Sequence, residues 1–66
     1  MANTVIAARL VELRGEKTRK EVAFALGISV SCLTMYENGY RVPKDHIKRR
    51  IASYYGKSVE EIFFTD

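Results

Sequence analysis

The side chains best placed for chemistry in this chain are the neutral ones between Ser29 and Met35. On a helical projection at about 100° per residue, Leu33 and Tyr36 fall on one side. The opposite side, formed by Val30, Ser31, Thr34 and Met35, carries hydroxyl and apolar groups and no carboxylate. Because a solvated helix face usually carries charges, this composition favours contact with another molecule. The alternative is a neutral surface that arose by chance.

Catalytic and metal chemistry find little support in the sequence. No serine or cysteine has a recognisable base nearby, and no glycine loop could cradle a phosphate. The single Cys32 cannot form an internal disulfide, and Cys32 with His46 falls short of the four ligands of a structural zinc site. We therefore expect a protein that is not an enzyme and needs no cofactor or metal.

Size and charge limit the possible partners. Sixty-six residues predict a single domain covering residues 1–66, and the net charge of +3 is compatible with nucleic acid. Residues 38–50 hold five basic side chains and one acidic, so most of the positive charge follows Glu37. No apolar run reaches the roughly 18 residues that cross a bilayer, and no secretory pattern opens the chain. The expectation is a cytoplasmic protein without a membrane segment.

Apolar periodicity and capping signals predict an all-α chain of five helices. Ile6, Leu10 and Leu13 form the stripe of the first helix, with Asn3 or Thr4 as its cap. Capping boxes at Thr18 with Glu21 and at Ser58 with Glu61 indicate where the second and fifth helices begin. The first helix is predicted to end at Gly15, and the second and third span about 19–25 and 30–37. The fourth runs from near Lys44 to Gly56, with Pro43 in its first turn, and a short helix follows Ser58.

The second and third helices have the spacing of a helix-turn-helix, over residues 19–37. Two short helices joined by about four residues including a glycine fit this motif, which needs a small residue where the helices cross. Ala23 supplies the small residue, Gly27 the turn and Leu33 the anchor into the core. The four tyrosines and three phenylalanines are interpreted mainly as core, with one of Phe63 and Phe64 left for a partner.

An ordered set of segments strengthens this interpretation. The segments are residues 10–14, 18–23, 27–29, 36–39, 41–43, 51–52 and 59–63. With them, the run from Leu10 to Phe64 resembles the Cro/CI-type, or XRE-like, helix-turn-helix regulators. The resemblance implies a compact five-helix lambda-repressor-like DNA-binding domain whose third helix enters the major groove.

The resemblance also implies roles for individual residues. The implied groove contacts are Ser29, Val30, Ser31, Thr34 and Met35. The implied phosphate contacts are Arg19 and the side chains and backbone amides from Asn38 through Tyr40 to Arg41. Arg14 and Glu37 fall where the family carries a structural ion pair; the alternative is two unrelated surface charges.

Two positions depart from the family pattern. Arg19 replaces the usual glutamine, which exchanges a neutral hydrogen bond for a charge-assisted phosphate contact or else weakens the geometry. The connection from Arg14 to Thr18 is about two residues shorter than the common form, so we expect a tighter approach to the second helix.

The sequence therefore predicts a bacterial or phage transcription regulator, most simply a repressor, that binds a palindromic site in double-stranded DNA as a homodimer through its C-terminal helices. The alternative is an antitoxin-like or other protein-interaction module that keeps the fold, and it would lack salt-sensitive binding to duplex DNA. The basic group Lys44, Lys48, Arg49 and Arg50 either flanks the DNA or is simply solvated.

Overall fold

The computed structural model describes residues 4–64, and these residues form five helices and no strand. The all-α architecture predicted from the sequence is confirmed. The helices are α1 (Thr4–Arg14), α2 (Arg19–Leu26), α3 (Val30–Glu37), α4 (Asp45–Tyr55) and a final single-turn π-helix, α5 (Glu60–Phe64). Asn3, the alternative cap of the first helix, lies outside the described residues.

The helix-turn-helix segment begins and ends where its capping residues predict. Thr18 has extended backbone angles, and its side chain accepts a hydrogen bond from the Glu21 amide at 3.1 Å. Gly27 ends α2 with φ of 72°, a left-handed conformation that costs little only without a Cβ. Ser29 then caps α3 by accepting a hydrogen bond from the Cys32 amide. Two helices thus meet across a turn of three residues.

Helix α4 begins near Lys44 as the sequence predicted, but Pro43 lies outside its first turn. Lys44 is its extended N-cap residue and makes no side-chain cap bond, so the helix begins at Asp45. Pro43 therefore lies before the cap and is buried, whereas the sequence placed it in the first helical turn. At the other end Gly56, with φ of 68°, stops the helix as expected.

The capping box of α5 is complete. The Ser58 hydroxyl accepts from the Glu61 amide at 3.1 Å, and a Glu61 carboxylate oxygen accepts from the Ser58 amide at 2.9 Å. These bonds also hold the pKa of Glu61 below its usual value. Arg9 of α1 donates from Nη1 to the carbonyl oxygens of Glu61 and Ile62, at 3.3 and 3.0 Å. The last helix is thereby fastened to the first.

One hydrophobic core holds the five helices together. It receives residues from every helix, and α3 packs against both α1 and α2. The most deeply buried large side chains are Leu10, Val22, Leu33, Ile51 and Ile62. Each of these five comes from a different helix, so the core fixes the orientation of α3 from several directions at once.

Candidate nucleic-acid interface

The crossing of α2 and α3 depends on the three residues that the motif requires. Ala23 is buried, so its methyl group lets the backbones of α2 and α3 approach closely. The Gly27 amide donates to Phe24, and the Ile28 amide donates to Ala23, which closes the end of α2. Leu33 is buried in the core and anchors α3. The turn therefore holds α3 rigidly against the body of the protein.

Helix α3 divides into an inner and an outer side. Leu33, Tyr36 and Glu37 point inward and are buried. The outer side is uncharged, with Val30, Ser31 and Met35 exposed, whereas Thr34 is half-buried. The structure thus brings the predicted groove residues of α3 to one face, with Thr34 at its edge.

Two hydroxyl groups near this face have partners within the protein. The Thr34 hydroxyl donates to the Val30 carbonyl oxygen at 2.8 Å, which leaves its methyl group and a lone pair for other contacts. The Ser29 oxygen accepts from the Cys32 amide at 3.0 Å and keeps its hydrogen for donation. Ser31 is exposed, so its hydroxyl can both donate and accept.

Glu37 lies at the centre of an ion cluster that joins three helices. Its side chain is 0% exposed, and its Oε2 accepts from Arg14 Nε at 2.9 Å. Its Oε1 accepts from Arg19 Nε at 2.8 Å. The sequence pointed to the first pair only. Arg19 is expected to contact phosphate; the structure directs its Nε to Glu37, and 38% of its side chain stays exposed.

In the loop after α3 the side chains are exposed, while three of the backbone amides are bonded within the protein. The amides of Asn38, Gly39 and Tyr40 donate to carbonyl oxygens of Thr34, Tyr36 and Met35. These three amides therefore complete the end of α3, and the expected backbone contacts with phosphate stay a prediction. The side chains of Asn38, Tyr40 and Arg41 are exposed, Tyr40 to 74%.

The four cations of the segment around α4 separate into two kinds. Lys48 is half-buried and lies over the Phe63 and Phe64 rings, at 5.5 and 4.7 Å from their centroids. Arg50 donates from Nη1 to the Leu26 carbonyl oxygen at 3.3 Å and helps to close α2. Lys48 and Arg50 therefore have structural partners, although Arg50 is exposed, as Lys44 and Arg49 are.

The aromatic residues follow the core interpretation only in part. Tyr36 and Phe63 are buried, but Phe24 is 88% exposed and Phe64 is 64% exposed. The exposure of Phe64 agrees with the expectation that one of Phe63 and Phe64 lies outside the core, and Tyr40 was expected at the interface, so the core interpretation is wrong for Phe24. Helical spacing could have shown this for Phe24, because it lies between the buried positions of α2. Nothing in the structure explains why a phenylalanine stands at position 24.

Burial keeps the inward tyrosines neutral. Burial raises the pKa of Tyr36 to about 12, and a hydrogen bond with Cys32 acts in the same direction. Burial also raises the pKa of Tyr55 to about 12, followed by the effect of the Glu37 charge. Both phenols therefore keep their protons well above the pH at which an ordinary tyrosine ionises.

Among residues 4–64, no helix is long and apolar enough to span a membrane. In the same part of the chain, no three His, Cys, Asp or Glu side chains are grouped so that they could hold a metal ion.

Comparison with known families identifies the family of this chain. The helix-turn-helix family model HTH_3 matches residues 8–62, which is most of the chain. The chain belongs to the HTH_3 helix-turn-helix family. The matched residues include the whole helix-turn-helix segment formed by α2 and α3. No curated protein matches the sequence significantly.

A solved structure shows the same fold as this HTH_3 chain. It is the solution structure of the SOS-response transcriptional repressor LexA from Eubacterium rectale, with a TM-score of 0.82 and 20% sequence identity. The match covers 88% of this chain and 64% of the LexA chain. The HTH_3 chain thus corresponds to less than two thirds of that protein, and the similarity concerns the fold.

Proposed function

We propose that this chain is a sequence-specific transcriptional repressor that places α3 in the major groove of double-stranded DNA. The supporting observation is the uncharged outer face of α3, with Val30, Ser31 and Met35 exposed and a cation before and after it. A recognition helix reads base edges while neighbouring groups hold the phosphates. The neutral face of α3 suits base edges, and the cations before and after α3 suit phosphates.

The chemistry of the face favours a permissive choice of sequence. Val30 and Met35 donate no hydrogen bonds and suit the methyl groups of thymine. Ser31 bonds several bases without strong preference. Thr34 presents mainly its methyl group, because its hydrogen is held by the Val30 carbonyl. The preferred sites are therefore rich in thymine at the positions that face α3, and Ser29 contacts the edge of the groove.

The phosphate contacts lie on two sides of this face. Arg19 begins α2, and the exposed side chains of Asn38, Tyr40 and Arg41 follow α3. Each cation that meets a phosphate releases counterions, so affinity falls steeply with salt. These contacts supply most of the affinity and little of the sequence preference.

A homodimer completes the proposed mode of binding. Phe64 is exposed next to the buried Phe63, so the C-terminal helices carry an aromatic ring that the core does not cover. Pairing two copies through this region buries that ring and gives two recognition helices related by a two-fold axis. The expected site is palindromic. Sedimentation at micromolar concentration tests this, with a strictly monomeric chain counting against it and Phe64→Ser expected to weaken the dimer.

The DNA proposal is tested by selection of bound fragments from random duplex DNA, followed by bandshift titrations. Met35→Ala should change the preferred sequence. Arg41→Ala should weaken all sequences alike and reduce the slope of log affinity against log salt by about 1. Lys57→Ala removes the same charge outside the proposed interface, so it is the matched control. Absence of salt-sensitive binding of the wild-type protein to any duplex would refute the DNA proposal and favour the alternative, a protein-interaction module.

A further inference from the structure

The two arginines bound to Glu37 differ in burial and in their other partners. Arg14 is 17% exposed and also donates from Nη1 to the Lys17 carbonyl oxygen at 2.8 Å. Its guanidinium is therefore held inside the protein by two partners. Arg19 is bound to Glu37 through Nε and keeps 38% of its side chain exposed at the first residue of α2. The outer arginine is thus both tethered and accessible.

The charges of the cluster do not cancel. Two guanidinium groups and one carboxylate leave a net charge of +1. Since Arg14 is the more buried of the two, the excess charge is presented to solvent mainly by Arg19. A guanidinium has five N–H donors, and the Nε bond to Glu37 occupies one of them. The others extend from a planar group whose position Glu37 fixes.

We infer that Glu37 is a positioning residue for DNA binding, which holds the Arg19 guanidinium so that its Nη groups meet a single phosphate. This inference rests on the proposed function. A tethered arginine loses less conformational freedom when it binds an anion, and its planar fork matches the oxygens of a phosphate. Arg19 stands where similar proteins usually have glutamine. Because the Glu37 carboxylate holds it in place, this arginine becomes part of the proposed interface.

The effect of removing the carboxylate distinguishes positioning from simple electrostatics. Glu37→Gln adds one unit of positive charge, so an electrostatic effect alone tightens binding to DNA. Loss of positioning weakens it, because an untethered Arg19 must be ordered during binding. The two explanations predict changes of opposite sign. Glu21→Gln is the matched control, since it adds the same charge on α2, keeps a residue suited to the capping box and should tighten binding.

The experiment is a double-mutant cycle with a labelled pool of random-sequence duplex as the probe, at several salt concentrations. Arg19→Ala should weaken binding about tenfold in the wild-type background and less than about twofold in the Glu37→Gln background. Circular dichroism at the assay temperature and titration of the active fraction restrict the comparison to folded protein. Equal losses in both backgrounds, or tighter binding by Glu37→Gln, would overturn the inference.

Arg19→Lys provides a second route if Glu37→Gln fails to fold. It keeps the charge and leaves Glu37 bound to Arg14, but it lacks the planar fork that can bond the carboxylate and a phosphate together. The expected loss of affinity approaches that of Arg19→Ala, and wild-type affinity in the lysine variant contradicts the inference. Failure of the wild-type protein to bind the pool refutes the proposed function instead, so the two failures are distinguishable.

Discussion

Removal of Glu37 is expected to be among the most damaging single changes to the stability of this protein. Glu37→Ala leaves Arg14, which is only 17% exposed, without its carboxylate, and Arg19 loses the same partner. Two hydrogen bonds to charged groups are lost, at 2.9 and 2.8 Å in the native structure. Because the carboxylate itself is 0% exposed, water does not replace it without rearrangement.

The magnitude follows from the unequal burial of the two arginines. A hydrogen bond to a charged group contributes about 1.5–3 kcal/mol, and breaking a buried ion pair costs about 3–5 kcal/mol. Arg19 can turn into solvent, so its share lies at the low end. The expected loss is therefore about 3–4 kcal/mol, out of the roughly 3–10 kcal/mol typical of a chain of 66 residues.

Urea unfolding followed by circular dichroism measures this loss. Arg14→Ala should cost less than Glu37→Ala, because Glu37 keeps Arg19, and Arg19→Ala should cost least. The double variant Arg14→Met with Glu37→Met should recover much of the lost stability, since apolar side chains of similar size avoid an unpaired buried charge. A loss below about 1 kcal/mol for Glu37→Ala would show that the cluster behaves as a surface pair and would refute this reasoning.

Three further predictions concern caps and tyrosines. Ser29→Ala should lower the free energy of unfolding by about 1 kcal/mol, measured in urea, because the first turn of α3 loses its cap. Gly27→Ala should cost about 1–2 kcal/mol in the same assay, since φ of 72° is strained for alanine. Tyr36 and Tyr55 keep their protons up to a pKa of about 12 when folded, whereas unfolded tyrosine ionises near pH 10. The contribution of these tyrosines to the free energy of unfolding should therefore be fully present below pH 10 and be lost as the pH rises towards 12. Tyr55→Phe should make this decline less steep in alkaline unfolding curves.

Local signals in the sequence were sufficient for most of the fold. Helix caps and terminating glycines act on residues close to them in the chain, so they can be predicted without the tertiary structure. This holds for the caps Thr18 and Ser29 and for Gly27 and Gly56. The position of Pro43 was wrong because proline is compatible with both the first turn of a helix and the residue before the cap. The π winding of α5 had no signal in its sequence.

The candidate interface was only partly predictable for a different reason. Helical periodicity separates the inner and outer sides of α3, and it places Val30, Ser31 and Met35 correctly on the exposed face. It carries no information about partners distant in the chain. The bond between Arg19 and Glu37 joins residues 18 positions apart and depends on how α2 packs against α3. Only the three-dimensional arrangement shows that one carboxylate serves two arginines.

The attachment of Arg9 to α5 has a consequence for how the protein opens. The hydrogen bond from Arg9 to Ile62 spans 53 residues, and both partners lie beside core side chains of their helices. The final turn cannot detach without breaking the bond from the Arg9 guanidinium, so α1 and α5 are held together by this contact. The amides of α1 and α5 should exchange with deuterium as one cooperative unit, and Arg9→Ala should accelerate exchange in α5 before it affects α3.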